Sequence, residues 1–136
     1  MKKLKDNFTA LALSIILLLF MSFHVIVIAQ IIPFSLVWGG IVKDHAQMLA
    51  LETVSILILL IMLSIVGIKV ALLKIDINSK IIKNLLFIMA LFFFSNTIGN
   101  SLSAHWIEKL IFTPLTGILS LFSLLTALNK GMKPFV

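Results

Sequence analysis

The chain has no cysteine among its 136 residues, and it has no arginine. Without cysteine there is no disulfide, no thiolate metal site and no redox pair of thiols. Acidic residues are almost as scarce: five in all, against eleven lysines, so that charged residues make up only 12% of the sequence. With 61% hydrophobic residues and a mean hydropathy of +1.22, too little polar surface remains to coat a soluble core of this size. The net charge of +6 could suggest a nucleic-acid partner. The lysines, however, stand at the ends of apolar runs, where they act as topology determinants and partners of lipid headgroups. The partner read from composition is therefore the lipid bilayer, with no nucleic acid.

The apolar runs are long. After the basic lead MKKLKD, residues 8–32 carry no charge and span roughly 37 Å as a helix, enough to cross a hydrocarbon core of about 30 Å. Val27-Ile28-Ala29 resembles a signal-peptidase site, but the run is too long for a signal h-region, so a retained helix is expected. Pro33 ends it, because the residue before a proline is driven out of the helical region. A loop with Trp38 and the pair Gly39-Gly40 follows, and Asp44 three residues before Gln47 has capping-box spacing for a second helix over 46–68. Asn78 or Ser79 can cap a third helix over 81–98, with Gly99 as its stop. Trp106 marks a second loop at the same level. Starting the fourth helix at Thr113-Pro114 would leave a span of only about 22 Å, so it is expected over 105–128, broken or kinked near Pro114.

The expected fold is thus an all-α, integral membrane four-helix transmembrane bundle with short loops, one domain over residues 1–136. Orientation follows from the lysines. Lys2, Lys3, Lys5, Lys69, Lys74, Lys80, Lys83, Lys130 and Lys133 fall on one side, and only Lys43 and Lys109 on the other. The positive-inside rule then puts both termini and the lysine-rich connector 69–83 in the cytoplasm. Lysine without arginine, with abundant Ile, Phe and Asn, suits an AT-rich genome, and a bacterial cytoplasmic membrane is the expected location. The two hairpins share a topology, each with a Trp, a His and an acid beside a lysine in its outer loop, but their residue-level similarity is too thin to make a repeat.

Polar residues inside the spans are few and costly. A carboxylate at mid-helix costs roughly 2.5–3.5 kcal/mol on insertion scales. Glu52 lies past the first turn of the second helix, about 6 Å into the apolar region. It either stays at the interface, favoured by the helix dipole, or faces a wet cavity, pairing with His24 or a cation. His24 stands roughly 12 Å below the outer end of the first helix, where a neutral histidine bonded to a neighbouring helix is the plainer reading. Asn96 and Asn100 share a face if the third helix runs past Gly99. Thr113, Thr116, Gly117, Ser120 and Ser123 form a small-residue stripe, normally a packing seam. Gln30 is expected to satisfy loop backbone. His45 and His105 lie beside acids in the loops, but their spacing matches no metal motif, and no phosphate-binding or nucleophile-elbow motif is present, so no metal or cofactor is expected.

Three functions compete on this reading. One is a non-catalytic subunit or scaffold, with a homo-oligomer or partner membrane protein packing on the Gly117/Ser120 face. Another is binding or transport of a small polar solute, cation or lipid headgroup in a pocket open to the outer side, built from His24, Glu52, Asn96, Asn100, Thr113 and Thr116. The last is an intramembrane enzyme using His24 and Glu52 as acid and base, which requires the two within hydrogen-bond reach. A polar cavity would favour binding, and a dry bundle the scaffold.

The orientation is directly testable, since a chain without cysteine accepts single probes. Cysteines at Ser79 and Asn129 should react with an impermeant maleimide only from the cytoplasmic side, and those at Gly40 and Ala104 only from outside. Labelling of positions 40 and 79 from one side would rule out four spans.

Overall fold

The computed structural model describes residues 7–130; the basic residues Lys2, Lys3, Lys5 and Lys133 used for orientation lie outside them. The described residues are helical with no strand: α1 (Phe8–Ile28), α2 (His45–Lys69), α3 (Ser79–Leu102) and α4, a π turn (Glu108–Phe112) running into an α-helix (Thr113–Leu128). All four are long and apolar enough to cross a membrane, at 21, 25, 24 and 21 residues. Most of each helix surface faces outward and is apolar, as at Leu19, Ile61, Leu91 and Leu110. Such a surface is stable only in lipid, so this is a multi-pass membrane protein.

Helix ends are made by local chemistry. Asp44 caps α2 by accepting the Gln47 N–H at 2.7 Å, and the Gln47 side chain accepts the Lys43 N–H in return at 3.0 Å. Asn78 caps α3 by accepting from the Lys80 N–H at 2.9 Å. α1 stops at Ile28, a turn before residue 32. Gln30 takes φ 57°, the Gln30 N–H bonds Val27 O and the Ile31 N–H bonds Ile26 O, which closes the helix in a Schellman turn. Gln30 therefore acts through its backbone; its side chain is exposed. Ala71 (φ 57°) closes α2 the same way, with the Ala71 N–H on Ile68 O and the Leu72 N–H on Gly67 O.

α3 does not stop at Gly99 but continues to Leu102, because Gly99 keeps a helical conformation instead of the positive φ of a helix-ending glycine. Asn96 and Asn100 consequently share a face. In α4 the break near Pro114 takes the form of a π turn: the Thr113 N–H reaches back five residues to Glu108 O, and Thr113 Oγ1 donates to the same carbonyl at 3.3 Å. Pro114, which has no N–H, sits just after that turn in the first positions of the α-helical part.

The helices form a ring. α1 packs on α2 and α4, α3 packs most extensively on α4, and α2 meets α3 only sparsely. Toward the lysine-rich connector the ring is filled by Leu13, Leu17, Val66, Leu86 and Leu119. A second, smaller core of Val27, Val37, Val42 and Met48 lies under the first tryptophan loop. The α3–α4 seam uses the small-residue stripe. Ser120 Oγ donates to Ala90 O at 2.8 Å, and a Cβ on Gly117 would meet Thr97 at 3.8 Å. The Gly117/Ser120 face is thus occupied by α3 of the same chain.

That seam sets a packing prediction. Gly117→Ala should be near neutral, since its methyl makes ordinary contact. Gly117→Leu should overpack the seam and cost about 1–3 kcal/mol, whereas Leu121→Ile and Leu125→Ile, on the outward face, should be mild. Thermal unfolding in detergent decides it; equal tolerance at Gly117 and Leu121 would place the stripe against lipid. The first loop's backbone refines the accessibility test. Gly40 has φ 72°, and a Cβ there would come 2.6 Å from His105 Nε2, so exposed Ile41 is the sounder probe of that loop.

Candidate functional site

Four buried polar side chains with hydrogen bonds between segments, His24, Glu52, Glu108 and Thr116, lie at the tryptophan-loop end. Glu52, on the third turn of α2, is 1% exposed. One of its oxygens, Oε2, meets His24 Nδ1 of α1 at 2.5 Å; the other, Oε1, accepts the indole N–H of Trp38 at 2.7 Å. The imidazole is wedged between Phe20 and Phe23, with ring centroids 5.0 and 5.9 Å away. Both carboxylate oxygens are thereby satisfied, and aromatic rings hold the histidine in place.

Trp38 reaches this position by an uncommon backbone. Trp38, Gly39 and Gly40 have φ of 57°, 62° and 72°, three left-handed residues in succession. The glycines adopt this freely, but the tryptophan does so at a cost of about 1–2 kcal/mol. Two hydrogen bonds to buried carboxylates offset that cost. The first is Trp38 to Glu52; the second is the Gly39 N–H to Glu108 Oε1 at 2.6 Å. One loop thus clasps an acid from each hairpin.

Glu108 is the residue that sequence reading missed. Beside exposed Lys109 it looks like a loop acid, yet it is only 7% exposed. Its signal was the spacing Glu108, Phe112, Thr116, four residues apart and continuing into buried Leu119 and Ser123, which sets it on the inward face of α4. The indole of Trp38 turns inward onto Glu52, whereas Trp106 is 65% exposed.

Between the two cores lies a cavity of about 500 Å³, lined by all four helices and the first loop. Five of the six residues singled out from sequence line it: His24, Glu52, Asn96, Asn100 and Thr116. Trp38, Gly39 and Glu108 join them. Thr113 does not reach the cavity; it is half-buried and its hydroxyl serves the π turn. The Thr116 hydroxyl donates to Phe112 O at 2.7 Å and lies 3.0 Å from that of Thr97, so it ties α4 to α3. Asn96 and Asn100 differ, for their amides make no hydrogen bond among the described residues. Glu108 Oε2 has no partner there either. His24–Glu52 is the one ion pair among those residues. They also contain no group of three His, Asp or Glu side chains placed to hold a metal ion.

The 2.5 Å contact implies strong coupling. His24→Ala and Glu52→Gln should each destabilise the protein, and the double variant should lose less than the sum, with a coupling of about 0.5–3 kcal/mol. Trp38→Phe, which removes one donor from a buried carboxylate, should cost about 1–3 kcal/mol. Additive losses in denaturation experiments would separate His24 from Glu52.

No protein-family description matches this chain, and neither a curated protein nor a solved structure is similar to it.

Proposed function

We propose that this membrane protein binds a small polar or cationic molecule in the cavity at its tryptophan-loop end. The lysine distribution supports an outward-facing position for that end, in what we take to be a bacterial cytoplasmic membrane. The observation that carries the reading is the pair of unpartnered amides, Asn96 and Asn100, facing a cavity of about 500 Å³ beside a buried carboxylate. A bundle serving only as a scaffold has no use for such groups, because polar side chains inside membranes normally serve as interhelical glue and are bonded. The Ser120 and Thr116 hydroxyls are glue of that kind; the amides are not. The volume falls within the range of about 300–1,000 Å³ typical of small-molecule sites.

His24 and Glu52 meet the distance an acid–base pair needs. Among the described residues no hydroxyl hydrogen-bonds either of them, and both Glu52 oxygens are already engaged. The pair reads better as a support for the cavity wall than as a catalytic couple.

A thermal-stability screen of the purified chain against ions, metabolites and lipid headgroups tests the proposal. A ligand present at about 100 times its Kd stabilises the native state by about 2.7 kcal/mol, a rise of several degrees. Asn96→Phe, which fills the cavity with an apolar ring, should keep the fold and abolish the response. A screen in which nothing raises the melting temperature, or in which Asn96→Phe responds like the wild type, returns the protein to the scaffold class.

A further inference from the structure

Resting on that binding reading, we propose that the cavity selects an ammonium group carried on an apolar body, with Glu108 as its counter-ion. Charge balance is the first reason. Two carboxylates, Glu52 and Glu108, line the cavity, and no lysine does. Glu52 already has His24 on one oxygen and Trp38 on the other. Glu108 has a single backbone N–H on Oε1, and no cation of the described residues pairs with it. A carboxylate 7% exposed and without a counter-charge is costly in a membrane interior. A cation arriving in the cavity relieves that cost, and an anion would aggravate it.

The rest of the lining says which cation. Phe20, Phe23, Phe92, Phe93 and Phe112 supply five aromatic rings. Aromatic faces attract ammonium ions electrostatically while offering apolar surface to the body attached to them. A bare metal ion would need several oxygen ligands in a fixed shell. Here the open oxygens are one from Glu108 and the two amide carbonyls of Asn96 and Asn100. Three acceptors match the three N–H donors of a primary ammonium, and the rings suit a methylated one. The same chemistry occurs in a soluble amine and in an ethanolamine or choline headgroup.

Trp38 reports on the site, because Trp106 can be removed from the exposed surface by Trp106→Phe. With full-length protein carrying that change in phosphatidylglycerol nanodiscs, benzyltrimethylammonium should alter Trp38 fluorescence saturably. Benzyl alcohol and phenylacetate, of similar shape, should bind much more weakly. Glu108→Gln can still accept the Gly39 N–H and should weaken the ammonium roughly tenfold while leaving benzyl alcohol unchanged. At a fixed phosphatidylglycerol content, so that the anionic surface enriches the probe equally, weaker apparent binding when the remaining lipid is phosphatidylcholine than when it is an uncharged glycolipid points to a lipid headgroup as competitor, and equal binding points to a free amine. The probe comparison in the Trp106→Phe protein stands even if Glu108→Gln fails to fold. Benzyl alcohol or phenylacetate binding as tightly as the ammonium overturns the charge assignment but leaves the pocket. A Trp38 signal that none of the three moves overturns both.

Discussion

A carboxylate taken into the hydrocarbon region must be solvated by protein, and that requirement organises the loop-bearing half of this molecule. Glu52 is 1% exposed. Its two oxygens recruit His24 from α1 and Trp38 from the first loop, so a single side chain ties together three consecutive segments of the chain. Lost solvation, not attraction alone, gives the contact its leverage, because removing either partner leaves a charge with nothing to replace water. The left-handed backbone at Trp38 is tolerated for the same reason. Once the loop is drawn onto Glu52, its next N–H, that of Gly39, is presented to Glu108. The second acid is thus positioned by the first.

Much of this was legible in the sequence. Four spans, the Asp44 and Asn78 caps and the polar bias toward one end all follow from local pattern: apolar run length, capping spacing and the alternating direction of successive helices. The alternation matters most. His24 comes late in α1, Glu52 early in α2 and the asparagines late in α3, so antiparallel packing alone brings them to one level. What pattern could not supply was rotation about each helix axis. Thr113 and Thr116 are equally early in α4, yet only Thr116 reaches the cavity. A π turn just before Pro114 shifts the angular register there, and hydrophobic run length carries no trace of such a turn. Glu108 was obscured by the same uncertainty: the helix expected over 105–128 contains it, but run length does not say which face a residue at the start of the π turn occupies.

The ring of helices divides its work by depth. Toward the lysine-rich connector the interior is mostly Leu, Ile, Val, Met and Phe in close contact; Ser14 and Ser64 bond within their own helices, to Ala10 O and Leu60 O, while the Thr9 and Thr126 hydroxyls are buried without a partner among the described residues. Lipid offers no hydrophobic drive for helix association, so this half coheres through packing fit and seams such as Gly117 and Ser120. Toward the tryptophan loop the packing gives way to a cavity, and cohesion passes to charged and aromatic contacts. The sparse contact between α2 and α3 is what leaves the space open: Ser55 and Ile58 on one side and Phe92 and Asn96 on the other face a gap instead of each other.

Such an arrangement separates the polar groups whose hydrogen bonds hold the fold together from those whose capacity is unused among the described residues. The Glu52 acceptors and the Thr116 hydroxyl are engaged in bonds that fix α2 and α4 in place, which makes the wall around the cavity rigid. Asn96, Asn100 and Glu108 Oε2 stand on that wall with hydrogen-bonding capacity unused. For the binding proposed above, a rigid shell matters energetically because a ligand would meet donors and acceptors already in position and lose less free energy to ordering them. It also makes the cavity hard to close. Moving α2 alone against α3 would swing Glu52 away from His24 and Trp38, leaving a buried charge exposed to hydrocarbon. The interaction that lets the protein fold with an acid in its interior therefore also keeps the space beside that acid open.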